Sequence, residues 1–141
     1  MSKIYFHQEE VDFKLHNRKK LQQWISKIIF SEGRQLGQLN FIFCSDHYLH
    51  KINLQYLNHD SYTDIITFDQ SEDSHSIEGD IFISVDRIKE NAKLLNIPFQ
   101  TELDRVMIHG VLHLLGNRDK TREERAVMRK KEEACLSLRP L

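Results

Sequence analysis

The chain has 141 residues, of which 40% are hydrophobic and 29% are charged, and its formal net charge is −1. This composition is ordinary for a soluble protein, and the near-neutral charge argues against a generic basic nucleic-acid binder. The length suits one domain, residues 1–141, around one core. No apolar run approaches the roughly 20 residues that cross a bilayer, so we expect no membrane association.

The N-terminal residues and the cysteines both indicate a cytoplasmic protein. The segment MSKIYFHQEEVDF resembles neither a signal peptide nor an Arg-rich transit sequence. Cys44 and Cys135 are too few for a disulfide framework, and each lies in an apolar pattern. We therefore expect both thiols to be buried and reduced.

The first half of the chain alternates predicted strands and helices. These elements cover residues 3–9, 17–31, 39–44 and about 46–57. Asn17 is the predicted cap of the first helix, and Ser45 or Asp46 caps the second. The inner face of the second helix is expected to contain three apolar side chains, namely Leu49, Ile52 and Tyr56.

The second half contains two further strands and three helices. The predicted elements cover residues 64–68, 80–84, 85–97, 103–114 and 121–136. A polar loop at residues 70–78 joins the two strands closely enough for a hairpin. The resulting order, βαβαββααα, predicts an α+β fold in which a small mixed sheet of about four strands packs against about five helices.

The segment HGVLHLLGNRD at residues 109–119 is the most informative part of the chain. His109 and His113 are four residues apart, so on a helix they lie on one face and can converge on one metal ion. Gly116 follows where helices commonly end in a left-handed cap. The chain can then return Asp119 as a third ligand, which leaves one coordination position open for hydrolytic chemistry.

The same residues also have structural interpretations. The histidines could be a polar pair on an amphipathic helix, and aspartate is a common helix cap. Thr121 and Glu124 already form a capping box for the next helix, however, which leaves the Asp119 side chain free.

Gly110 replaces the glutamate of His-Glu-x-x-His zinc proteases, which argues against a peptidase. The glycine could serve helix packing, a neighbouring strand or a bulky substrate.

Three segments in the second two-thirds of the chain follow the patterns of one enzyme family. They are NLQYLNHDSYTDIITF at residues 53–68, GDIFIS at 79–84 and HGVLHLLG at 109–116. Together they resemble the YbeY family of bacterial ribosomal-RNA maturation endoribonucleases. The resemblance implies a metal-dependent hydrolase, usually described with zinc, that cleaves single-stranded RNA in small-subunit maturation and ribosome quality control. It also implies contacts with the small ribosomal subunit and an assembly GTPase.

Two positions depart from the pattern of that family. Most members carry histidine where this chain has Asp119. Because a carboxylate also binds other divalent metals, manganese and iron(II) are alternatives to zinc at this site. The family commonly has an arginine, important for cleavage, at the position of Leu57, and leucine cannot contact phosphate. An alternative function is therefore a ribosome-assembly binding factor with a structural metal and little or no nuclease activity.

Four further side chains are candidates for assisting cleavage of a phosphodiester. His59 falls where the family often carries lysine and is the candidate catalytic residue, because the reaction needs positive charge near phosphorus or the leaving oxygen. Arg118 and Lys120 flank the proposed ligand Asp119 and are candidates for substrate binding. Tyr62 is the candidate for stacking on a base. An ordinary surface role is the alternative for His59, Arg118 and Lys120.

Overall fold

The computed structural model describes residues 3–140, and the order of its elements is the predicted one. Strands β1 to β4 span Ile4–Glu9, Gln35–Cys44, Ile65–Asp69 and Ser76–Ser84. Helices α1 to α5 span Arg18–Ser31, Asp46–Leu57, Val85–Leu95, Phe99–Leu114 and Arg122–Leu136. The predicted α+β class is confirmed. The single domain at residues 1–141 stays a prediction, and its ends at Met1, Ser2 and Leu141 lie outside the described residues.

The sheet is mixed, with the strand order β1-β2-β4-β3. β1 and β4 both run parallel to β2, whereas β3 is antiparallel to β4, which confirms the predicted hairpin. β4 begins at Ser76, inside the segment that was predicted to be a loop, and β2 begins earlier than predicted, at Gln35. These two polar ends pair with each other, so their strand conformation depends on a contact between segments that are distant in the chain.

The helices bury both faces of the sheet, and α4 is the most deeply buried of them. One face meets α1, α3, α4 and α5 in a large apolar cluster. On the other face, α2 covers a smaller cluster around Leu49 and Ile66. Trp24 of α1 donates a hydrogen bond from Nε1 to the carbonyl oxygen of Cys135 in α5, at 2.9 Å. Cys44 and Cys135 are buried and free, as predicted. No helix within residues 3–140 is both long enough and apolar enough to traverse a membrane.

The cap of α1 and the inner face of α2 differ from the prediction, and α4 begins four residues earlier than predicted, at Phe99. Asn17 precedes α1 in the left-handed conformation, with φ 59°, and its side chain makes no capping hydrogen bond. Tyr56 is 61% exposed, whereas Asn53 takes the inner position of α2 with 3% exposure. The Asn53 amide donates to the carbonyl oxygen of Ser61 at 2.9 Å. A polar contact with the following loop therefore sets the inner face at this end of α2.

Gly110 allows α4 to approach the sheet closely. A Cβ atom at this position would lie 2.9 Å from Cδ1 of Ile65 and 3.0 Å from Cγ2 of Ile81. A side chain at residue 110 would therefore point into β3 and β4, and only glycine leaves room for this close approach. Of the roles considered for this glycine, the structure supports packing against neighbouring strands.

Replacing Gly110 by valine should lower the free energy of unfolding by about 2 kcal/mol, because extra methyl groups in a filled site typically cost 1–3 kcal/mol. Urea denaturation measures the change. Ala134→Val on the exposed side of α5 is the matched control, and its expected cost is below about 1 kcal/mol, the difference in helix propensity. Equal losses in the two variants would contradict the tight contact.

Candidate metal centre

The last turns of α4 present His109 and His113 on the same side of the helix. Both side chains are partly buried, and their ring centroids lie 4.7 Å apart with an interplanar angle of 80°. The other sides of α4 are packed in the large apolar cluster, which contains Met107, Val111 and Leu112. This packing fixes the backbone from which the two imidazoles project.

The turn after α4 returns the chain to the histidines. Gly116 has φ 101°, a conformation that residues with a Cβ rarely adopt, so the chain reverses there as predicted. Asn117 secures the reversal, since its backbone N and its side-chain Nδ2 both donate to the carbonyl oxygen of Leu112, at 3.0 and 2.9 Å. Asp119 follows two residues later.

The start of α5 holds the backbone beside Asp119. The predicted capping box is present, with Glu124 N donating to Thr121 Oγ1 at 3.0 Å and Thr121 N donating to Glu124 Oε1 at 2.9 Å. The same carboxylate oxygen accepts from Lys120 N at 3.1 Å. Thr121 therefore caps the helix, and the Asp119 carboxylate faces the histidines.

The three candidate ligands meet at one point. Oδ2 of Asp119 lies 3.3 Å from Nε2 of His109 and 3.3 Å from Nε2 of His113. Ligand atoms that bind one zinc ion tetrahedrally at 2.0–2.1 Å are themselves about 3.3 Å apart. Within residues 3–140, this is the group of histidine, cysteine and acidic side chains that could hold a metal ion. Its spacing and its two imidazoles and one carboxylate fit a divalent transition metal.

An open pocket lies beside this group. Its volume is about 320 Å³, and its described lining consists of His113, Arg118, Asp119 and Lys120. Two of the residues predicted to bind substrate, Arg118 and Lys120, thus stand next to two of the candidate ligands. Their positive charges make the rim of the pocket attractive to an anion.

His59 and Tyr62 lie outside the described lining of that pocket. His59 is exposed just beyond α2, where its backbone N donates to the carbonyl oxygen of Asn53 at 3.1 Å. The exposed Tyr62 ring stacks on His50 at a centroid distance of 4.3 Å, and the guanidinium carbon of Arg87 lies 5.6 Å from its centre. The predicted catalytic and stacking roles of these two residues stay predictions.

A buried network of charges behind His109 was not predicted from the sequence. Glu132 of α5 lies 2.5 Å from Nδ1 of His109 and accepts from Nη1 of Arg105 at 3.2 Å. Arg105 also donates two hydrogen bonds to Glu102, at 2.8 and 2.7 Å. Glu102 is 0% exposed and Glu132 is 4% exposed. The helical spacing of the polar residues at 102, 105 and 109 was a signal available in the sequence, whereas nothing in the sequence indicated their partner from α5.

Close contacts between opposite charges shift the pKa values of this network. Hydrogen bonds from Arg105 to Glu102 and then to Glu132 raise the pKa of the guanidinium. Burial raises the pKa of Glu132, but its hydrogen bond with His109 and the charge of Arg105 outweigh burial and hold that pKa below its usual value. Asn91 of α3 extends the network, because its Nδ2 lies 3.4 Å from both Glu102 and Asp64. Burial is the main cause of the raised pKa of Asp64.

Comparison with known proteins identifies the family. A family model described as Endoribonuclease YbeY matches residues 3–138. The chain belongs to this family. Endoribonuclease YbeY of Cytophaga hutchinsonii is 50% identical over 136 residues, which cover 96% of this chain and 95% of the relative. The protein of the same name from Amoebophilus asiaticus is 54% identical over 129 residues, covering 92% and 88%.

The fold is also similar to that of a solved relative. The solution structure of TM1509 from Thermotoga maritima has a TM-score of 0.64 and 28% identity, and the match covers 95% of this chain and 89% of that one. The resemblance inferred from the three sequence segments is thus confirmed. The matched family region contains the candidate ligands as well as Arg105 and Glu132.

Replacing Arg105 by methionine should destabilise the fold by about 3 kcal/mol, because it leaves buried Glu102 without its cation. Arg87→Met is the matched control: it breaks a more exposed ion pair with Asp46, and we expect a loss of about 1 kcal/mol or less. Urea denaturation near neutral pH compares the two. Adding Glu102→Gln to Arg105→Met should recover part of the loss, and no recovery would contradict the role assigned to the buried charge.

Proposed function

We propose that this protein is a metal-dependent endoribonuclease that hydrolyses phosphodiester bonds in single-stranded RNA. One observation carries the proposal: His109, His113 and Asp119 converge within metal-binding distance beside an open pocket with a basic rim. Membership of the endoribonuclease YbeY family along nearly the whole chain supports RNA as the substrate.

Zinc is the ion that we propose, one per chain, with manganese or iron(II) as the alternatives. Two imidazoles suit zinc and iron, while the Asp119 carboxylate is also a good ligand for manganese. A divalent ion at this position would lower the pKa of a water molecule and offset negative charge on a phosphate. The proposed ligand set of His109, His113 and Asp119 leaves one side open to the pocket, which suits hydrolysis.

The side chains of the protein would bind and orient the RNA. Arg118 and Lys120 on the rim can pair with phosphate oxygens and stabilise the charge that develops during cleavage. We assign Tyr62 to base stacking and His59 to stabilising negative charge on phosphorus or the leaving oxygen. Both belong to the segment that leads into β3, and Ile65 of β3 contacts α4 at Gly110, so this segment ends beside the helix that carries the ligands.

The biological substrate that we propose is ribosomal RNA during small-subunit maturation and quality control in the cytoplasm. The small ribosomal subunit and an assembly GTPase are the proposed partners. This part of the proposal rests on family membership.

The competing function, a ribosome-assembly factor with a structural metal, takes its support from exposed Leu57, where the family commonly has arginine. Structural zinc sites usually have four protein ligands and are closed, so three ligands beside a pocket favour the nuclease.

His113→Ala should weaken zinc binding by more than about 100-fold, because losing a ligand costs more than the 10- to 100-fold typical of changes in the outer shell. Competition with a coloured chelator measures the affinity. His75→Ala is the matched control, since His75 is exposed and lies outside the candidate ligand group. Asp119→Ala should also weaken binding, and full retention of zinc at low free metal would remove Asp119 from the ligand set.

Protein that has been stripped of metal should not cleave a labelled single-stranded RNA, and reloading with zinc or manganese should restore cleavage. The same RNA annealed into a duplex is the substrate control and should be cut much more slowly. His113→Ala should remain inactive after reloading, because it lacks one proposed ligand. Tight metal binding without cleavage would favour the assembly-factor function, and cleavage that survives in His113→Ala would reveal a contaminating nuclease.

A further inference from the structure

We propose that Glu132 is a positioning residue that holds the His109 ring in the tautomer needed for metal binding. Glu132 lies on α5, outside the histidine segment and outside the other segments that resemble the family. The inference rests on the proposed metal site and adds a fourth residue to it, one that acts through His109.

The two nitrogens of the His109 ring face different partners. Nδ1 lies 2.5 Å from Oε2 of Glu132, while Nε2 lies 3.3 Å from Oδ2 of Asp119. A neutral imidazole carries one proton, and a carboxylate that accepts at Nδ1 keeps the proton on that nitrogen. The lone pair of Nε2 then points toward the place where the three ligand atoms converge. Metal-binding histidines commonly have such a carboxylate behind the ring.

Glu132 is itself rigidly held. Its side chain is nearly buried, and its other oxygen, Oε1, accepts from Arg105 at 3.2 Å. Arg105 is fixed in turn by two hydrogen bonds to Glu102, which is fully buried in α4. Because both of its oxygens are engaged, the Glu132 carboxylate can fix the orientation of the ring, which a mobile surface carboxylate could not do.

The network also favours a cation on the far side of the ring. The carboxylates of Glu102 and Glu132 outnumber the single guanidinium of Arg105, so a negative charge is buried behind His109. A buried charge acts over a few ångströms with little screening, and it makes the imidazole a stronger donor to a divalent ion. Within residues 3–140, His113 has no comparable carboxylate behind its ring. The two histidines are therefore unequal ligands.

Zinc affinity tests the role of Glu132. Glu132→Gln keeps the length of the side chain but removes its charge, and we expect zinc to bind 10- to 100-fold more weakly, as is typical when an outer-shell partner is lost. Glu133→Gln, at the adjacent exposed position of α5, is the matched control and should bind zinc like the unaltered chain. Equal affinities in the two variants would overturn the proposal. Failure of the unaltered chain to bind zinc would instead contradict the proposed metal site.

The ring tautomer is a second readout, independent of metal and of activity. Nitrogen-15 NMR of the metal-free protein at a pH of about 8, where histidine is ordinarily neutral, reports which ring nitrogen carries the proton. We expect the proton of His109 on Nδ1 in the unaltered chain and a shift toward Nε2 in Glu132→Gln, with the His113 signals unchanged. A purely structural role for Glu132 would leave the tautomer unmoved. If Glu132→Gln does not fold, the unaltered chain still decides, because a proton on Nε2 of His109 would overturn the proposal.

Discussion

The close contact between α4 and the sheet at Gly110 is the constraint on which the site depends. Because no side chain separates the helix from Ile65 and Ile81, α4 lies directly on strands β3 and β4. Core packing then fixes the direction in which His109 and His113 project. The cost of a glycine within a helix is offset by this fit, and the residue that excludes a protease-type base also lets the helix with the candidate ligands pack on the sheet.

The site joins an apolar framework to a charged network. The core holds the backbone of α4, whereas Arg105 and Glu132 connect its side chains to α5 through partly buried ion pairs. Such ion pairs add little stability because desolvation offsets the attraction, but a fully satisfied network defines one arrangement of side chains. Within residues 3–140, no buried side-chain nitrogen or oxygen lacks a hydrogen-bond partner. The network therefore contributes order around His109 more than it contributes stability.

Local patterns in the sequence predicted the order of the elements and the meeting of His109, His113 and Asp119, because helical spacing, a glycine stop and a capping box all act over a few residues. Contacts between distant segments could not be predicted in this way. The early start of β4 depends on pairing with β2, and the inner face of α2 depends on a polar contact with the loop before β3. Glu132 escaped prediction for the same reason, since its partner His109 lies on another helix.

His109 of α4 contacts residues near both ends of α5. Asp119 stands just before its first turn and Glu132 lies near its last, and both contact the same imidazole. An ion bound to His109 and Asp119 would thus close a loop of contacts that runs along α5 from its start to Glu132. Trp24, the only tryptophan of the chain, donates a hydrogen bond to the carbonyl oxygen of Cys135, three residues beyond Glu132. We therefore expect the fluorescence of this indole to change if ion binding moves the end of α5.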